Sequence, residues 1–167
     1  MSIFRKVNSS GNKPISPSLL FRDLRRDSNI KFLWDHQGKM LEEYHASYIN
    51  TPNVALELPT GTGKTLVGLL IGEYQRRALN KRVVYLCPTR QLCHQVLRQA
   101  RHYGIECSLL IGQQQNYDSA HFSRYQRADS IAITTYSGIF NSNPRIDDPE
   151  VIIVMVKENK RQCNAPR

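Results

Sequence analysis

The segment Leu58-Pro59-Thr60-Gly61-Thr62-Gly63-Lys64-Thr65 carries the residue types that hold a polyphosphate. Its glycines let main-chain N–H groups approach phosphate oxygens, Lys64 reaches towards the β- and γ-phosphates, and the Thr65 hydroxyl is suited to a Mg2+ shell. The apolar stretch Val54 to Leu58 reads as a strand before the loop. Thr65-Leu66-Val67-Gly68-Leu69-Leu70-Ile71 reads as the helix after it, whose N-terminal end adds positive potential. The generic phosphate-loop pattern has a glycine where this chain has Leu58, yet the anion-binding positions Gly61, Gly63, Lys64 and Thr65 are in place. A solvated Gly/Thr turn ahead of an unrelated helix is the competing interpretation, and the Gly-Lys-Thr triplet between strand and helix weighs against it.

Other reactive residue types give no second chemistry. His36, His45, His94, His102 and His121 have no metal-ligand spacing, and no Cys/His or Ser/His pair stands out as nucleophile and base, so no catalytic side chain is assigned. Cys87, Cys93, Cys107 and Cys163 form no Cys-x-x-Cys pair. They read as reduced, mostly buried thiols, which fits a cytoplasmic location.

A chain of 167 residues is expected to form one domain with a buried core, and is too short for a two-domain machine. Its formal charge of +9 favours a polyanionic partner, although the basic residues are spread rather than blocked. The last 17 residues are disproportionately basic, with four Lys/Arg against one acidic residue. No apolar run approaches the roughly 20 residues that a membrane span needs, and the first residues lack a signal-peptide core.

The elements that must position the loop follow from periodicity. Residues 1 to about 15 are polar, with Ser9-Ser10-Gly11-Asn12 and Pro14, and read as a loose leader; Ser16-Pro17 reads as an N-cap with Pro at the first helical position. A second helix is expected over Leu33 to Ile49. Beyond Val54 to Leu58 the pattern alternates: helix Lys64 to Ala78, strand Arg82 to Cys87, helix Gln91 to His102, then strands Cys107 to Ile111 and Ile131 to Thr134. A short helix near Tyr136 to Phe140 and a strand at Val151 to Val154 close the series. Near-continuous apolar strands alternating with helices predict an α/β fold, a parallel sheet with helices on both faces. Residues 1–30 are then leader and short helix, 31–154 the nucleotide-binding domain, and 155–167 a basic tail.

A phosphate loop alone does not separate kinases, GTPases, transporters and helicases. Three further segments discriminate: Phe32-Leu33-Trp34-Asp35-His36-Gln37 upstream, Cys87-Pro88-Thr89-Arg90-Gln91-Leu92 at one strand end, and Thr134-Thr135-Tyr136-Ser137 at another. With the loop they resemble the first RecA-like motor domain of a superfamily 2 helicase, the broad DEAD/DEAH-box and restriction-helicase group. The resemblance runs from about Leu33 to Val154. It implies ATP and Mg2+ as cofactors, held by Thr60, Gly61, Thr62, Gly63, Lys64 and Thr65, with Thr65 at the metal and Gln37 reading adenine. It also implies a nucleic-acid partner, DNA or RNA, touched by Pro88, Thr89, Arg90, Thr135 and Tyr136. A hydroxyl, N–H groups at a helix start and a guanidinium bind phosphate without reading sequence. Arg90 as a surface residue and Thr89 as an ordinary N-cap remain open alternatives, as do Phe32 and Trp34 as base-stacking or merely structural aromatics. Gly112 resembles a strand-end glycine of the family or simply terminates a strand.

The family pattern has two acidic residues directly after the strand that Val151 to Val154 resembles, and this chain has Met155-Val156-Lys157-Glu158. In the family these carboxylates hold Mg2+ and position the attacking water. Their replacement, followed by a basic tail, reads as a truncated or frameshifted product with an incomplete sheet, deficient in hydrolysis. The implied partner is then a second polypeptide supplying the missing motor domain. A self-sufficient short nucleotide- or nucleic-acid-binding protein and a P-loop enzyme of another class, such as a kinase, are the rival readings. A kinase would want a lid and acceptor site, and neither is visible.

Overall fold

A computed structural model describes residues 16–24, 32–59, 61–113, 117–140, 146 and 149–156. Thr60, the leader and the tail beyond Val156 lie outside the described residues, and so do the sequence expectations that fall on them.

The polypeptide begins as Ser16-Pro17 foretells: the Ser16 side chain accepts from Leu19 N–H at 3.2 Å and α1 runs Pro17–Asp23. The expected second helix is α2, Asp35–Glu43, continuing as a π-helical turn at Tyr44–Tyr48. After the loop come α3 (Lys64–Leu79), β1 (Val83–Cys87), α4 (Arg90–His102), β2 (Cys107–Leu109), α5 (Ser119–Gln126), β3 (Ile131–Thr135) and β4 (Val151–Val154). Tyr136–Gly138 forms a single 3-10 turn after β3.

The four strands are parallel in the order β2-β3-β1-β4. β1 and most of β3 are buried on both sides, as their unbroken apolar sequences demand. On one face Val83, Tyr85, Cys87, Ile131 and Ile133 meet the apolar sides of α1 to α4; on the other Val84, Leu86 and Ala132 meet Leu110, Tyr125 of α5 and Ile146. In α4 the buried residues Cys93, Val96, Leu97 and Ala100 recur at helical spacing beneath an exposed polar face. α3 lies close on the sheet because Gly68 and Gly72 present no side chain: a Cβ at Gly72 would sit 3.0 Å from Ile153 Cδ1 and 3.2 Å from Val83 Cγ1.

Two sequence expectations need correction. Val54 to Leu58 is not a strand of this sheet, whose central strand β1 is already flanked by β3 and β4. Leu58 is buried and Val54 half-buried, so the segment keeps an apolar anchor without a ladder, while Ala55, Leu56 and Glu57 are exposed. The unforeseen helix is α5, whose two large apolar residues, Phe122 and Tyr125, are too few for a periodic signal. Its start is set by Asp118, whose carboxylate accepts from Ala120 N–H at 2.8 Å.

A single buried anion organises the far end of α3. Glu73 is fully buried and binds Arg76 at 2.7 and 2.9 Å and Arg77 at 2.6 Å, while Arg76 also donates to the Ala128 carbonyl at 3.0 Å. Ala128 has a positive φ of 56°, and this anchoring ties the α5–β3 connection to α3.

Candidate functional site

The parallel register brings the candidate residues to one edge. Cys87 pairs with Thr135 and Leu86 with Val154, so Pro88-Thr89-Arg90, Tyr136 and Met155-Val156 all emerge at the carboxyl ends of adjacent strands. α3 runs antiparallel to the strands, since Gly68 lies over Tyr85 and Gly72 over Val83. Its N-terminus, with the phosphate loop, therefore points to that same edge, where open α/β sheets place ligands.

Gly61 and Gly63 have φ of 83° and 82°, in the left-handed region that glycine alone enters cheaply. Thr62 between them turns inward on Pro59, its hydroxyl donating to the Pro59 carbonyl at 2.6 Å. The outcome is a tight loop that delivers Lys64 and Thr65 into the first turn of α3. Tyr85 is buried beneath and hydrogen-bonds Thr65; burial pushes its phenol well above the ordinary range, aided by neighbouring Cys87 and opposed by Thr65.

Gln37 reaches this loop from α2. It occupies the third position of the helix, and its Oε1 accepts from the Trp34 N–H at 3.1 Å, the return arm of a capping box. Its Nε2 donates to the Thr62 carbonyl at 2.8 Å. The side chain is buried, and a Cβ at Gly63 would collide with its amide nitrogen. His36 Nε2 lies 3.1 Å from the same Thr62 carbonyl, a contact that no spacing rule announced. The Trp34 and His36 rings meet at 5.5 Å between centroids, tilted by 54°, and Trp34 and Phe32 are both exposed.

The strand-end residues split in two ways. Thr89 is the N-cap of α4, its hydroxyl accepting from Leu92 N–H at 3.2 Å, and Arg90 beside it is exposed. Thr135 is half-buried and shares a 3.0 Å hydrogen bond with Ser137. Tyr136, by contrast, turns its hydroxyl onto the Met155 carbonyl at 2.5 Å, tying the end of β3 to the end of β4. Gly112 has a φ of 92° and follows the strand region at Leu109, so its requirement is a turn. Among the described residues, no three His, Cys, Asp or Glu side chains converge to hold a metal.

A loop of left-handed glycines at a helix N-terminus, on the ligand edge of a helix-covered parallel sheet, defines a P-loop nucleotide-binding domain of RecA-like form. A family model described as DEAD/DEAH box helicase matches residues 35–154, and the chain belongs to that family. No curated protein and no solved structure matches it significantly. The family is ATP-dependent and acts on nucleic acid. Among the described residues no helix is long and apolar enough to cross a membrane.

Proposed function

We propose that this chain binds ATP through Gly61, Thr62, Gly63, Lys64 and Thr65, with Thr60 completing the loop. It contacts a nucleic-acid backbone through Pro88, Thr89, Arg90 and Thr135, and it does not turn ATP over by itself. The observation that carries the reading is the meeting of the phosphate loop and the ends of β1 and β3 at one edge of the sheet. Main-chain N–H groups at the start of α3, Lys64 and the open space beside Gly61 fit a triphosphate. The metal is less well served. Thr65 offers a hydroxyl, but the two positions after β4 are Met155 and Val156, which have no oxygen donor in their side chains.

Bound Mg2+ would neutralise charge on the phosphates. The chain's own residues orient the triphosphate, and the two positions directly after β4 offer the attacking water no carboxylate to align it. Gln37 serves the nucleotide through the loop, because its amide is engaged at both ends by Trp34 and Thr62. Tyr136 acts in the same indirect way, bracing the strand ends through Met155.

Titration with a fluorescent ATP analogue and Mg2+ tests the first part. Saturable binding is expected, abolished in Lys64→Ala; equal binding by both proteins removes the phosphate-loop assignment. Phosphate release tests the second part and should stay at background with or without single-stranded oligonucleotide. Oligonucleotide-stimulated turnover that disappears in Lys64→Ala would overturn it.

A further inference from the structure

The outer face of α4 carries cations and no carboxylate. Arg90, His94, Arg98 and Arg101 are all exposed. At about 100° per residue they fall within an arc of about 80°, beside the buried stripe of Cys93, Val96, Leu97 and Ala100. Along the helix axis Arg90, His94 and Arg98 follow one another in steps of about 6 Å, and Arg101 lies about 16 Å from Arg90. No Asp or Glu occurs between Glu73 and Glu106, and those two carboxylates are engaged, the first by Arg76 and Arg77, the second by Arg124. Arg82 and Arg127 are held in the same way by Glu150 and Asp129. Among the described residues Arg90, Arg98 and Arg101 have no carboxylate partner.

Helix energetics alone do not account for this face. A cation at a helix C-terminus is favourable, which suits Arg101, but Arg90 stands at the positive end, with no acidic residue in the first turn to offset it. A protein partner fits poorly, because the core of a protein–protein interface is built from aromatic and other apolar side chains, and α4 exposes no large apolar residue. A row of phosphates fits well, since each guanidinium can grip a phosphate in a bidentate way. We propose that the face of α4 bearing Arg90, His94, Arg98 and Arg101 is a second tract for the nucleic-acid backbone, leading a single strand from the sheet edge down the length of the helix. Each guanidinium takes one phosphate, and the His94 ring offers an N–H between Arg90 and Arg98. Phosphate contacts carry no sequence information, so the tract holds any strand alike. The choice of partner rests on the strand-contact reading, which supplies the head of the tract at Arg90; Arg98 and Arg101 extend it along the helix by about 12 and 16 Å.

The test follows binding of the full chain to a fluorescent single-stranded oligonucleotide by anisotropy over a range of salt concentrations. Four proteins are compared: wild type, Arg90→Ala, the pair Arg98→Gln with Arg101→Gln, and the pair Arg98→Lys with Arg101→Lys. The replaced side chains are exposed, so all four should fold, with urea unfolding as the control. The basic tail is the same in each and cancels from the comparison. The glutamine pair should reduce the log–log salt slope by about 1.4, twice the value for one phosphate on a single strand, and weaken binding about tenfold at low salt. The lysine pair should keep the wild-type slope, and oligonucleotides of different sequence should be affected equally. An unchanged slope in the glutamine pair, with Arg90→Ala still weakened, overturns the tract and leaves the sheet-edge contact standing. A reduced slope in the glutamine pair with no effect of Arg90→Ala supports the tract and defeats the strand-contact reading at Arg90. Displacement of the oligonucleotide by polyglutamate at equal charge would point to an acidic protein as the occupant and overturn the proposal.

Discussion

Replacing Gln37 separates two ways in which a glutamine can serve a nucleotide. In the structure its amide makes one bond to the Trp34 N–H at 3.1 Å and one to the Thr62 carbonyl at 2.8 Å, joining the start of α2 to the phosphate loop across 25 residues. Gln37→Ala removes both. A hydrogen bond of this kind contributes about 0.5–1.5 kcal/mol net, so the loop loses about 1–3 kcal/mol of support. His36 remains on the Thr62 carbonyl and pulls the value towards the lower end. Since that support preorganises the loop for phosphate, it should appear as roughly a 5- to 150-fold rise in Kd. ATP and GTP should suffer alike, because both carry the triphosphate. Gln37→Glu should be at least as damaging: it keeps an acceptor for Trp34 but sets a carboxylate against the Thr62 carbonyl and beside the phosphates. The assay is competition of ATP and GTP against a fluorescent analogue, with urea unfolding of each variant as a control for folding. A loss confined to ATP would refute the positioning role and favour direct adenine reading. Unchanged affinity in Gln37→Ala would refute both.

Further outcomes are expected from the same structure. Glu73→Ala strands Arg76 and Arg77 beside a vacated, fully buried position and should lower unfolding free energy by about 3–5 kcal/mol in urea titration; a loss under about 1 kcal/mol would show that the cluster holds nothing together. Gly63→Ala puts a Cβ against the Gln37 amide at a φ of 82°, so it should weaken ATP-analogue binding more than Gly61→Ala, where no atom lies within 4 Å of the added group. Equal effects would mean that backbone strain alone matters. Arg90→Ala should weaken single-strand binding regardless of sequence and reduce the log–log salt slope by about 0.7, measured by anisotropy at several salt concentrations; an unchanged slope removes Arg90 from the phosphate contacts.

The chain's order of residues was enough to place the glycine turn ahead of α3, the cap at Ser16, and all four strands of the sheet to within two residues at either end. Those features are local: a Gly-x-Gly-Lys-Thr turn, a hydroxyl before a helix and a continuous apolar run each state their conformation within a few neighbours. Local pattern misled at Val54 to Leu58, where an apolar run reads as a strand but pairing depends on a neighbour that sequence cannot see. It was silent at α5, where two aromatics carry the burial. The site shows the same division. Lys64 and Thr65 could be proposed as phosphate-binding types from the sequence, and Arg90 as either a strand contact or a surface residue. That Gln37 and His36 converge on one carbonyl and that Tyr136 braces Met155 were decided by tertiary structure alone. Each joins groups whose separation depends on how helices and strands pack, and side-chain packing, unlike a turn or a cap, leaves no fixed spacing in the chain.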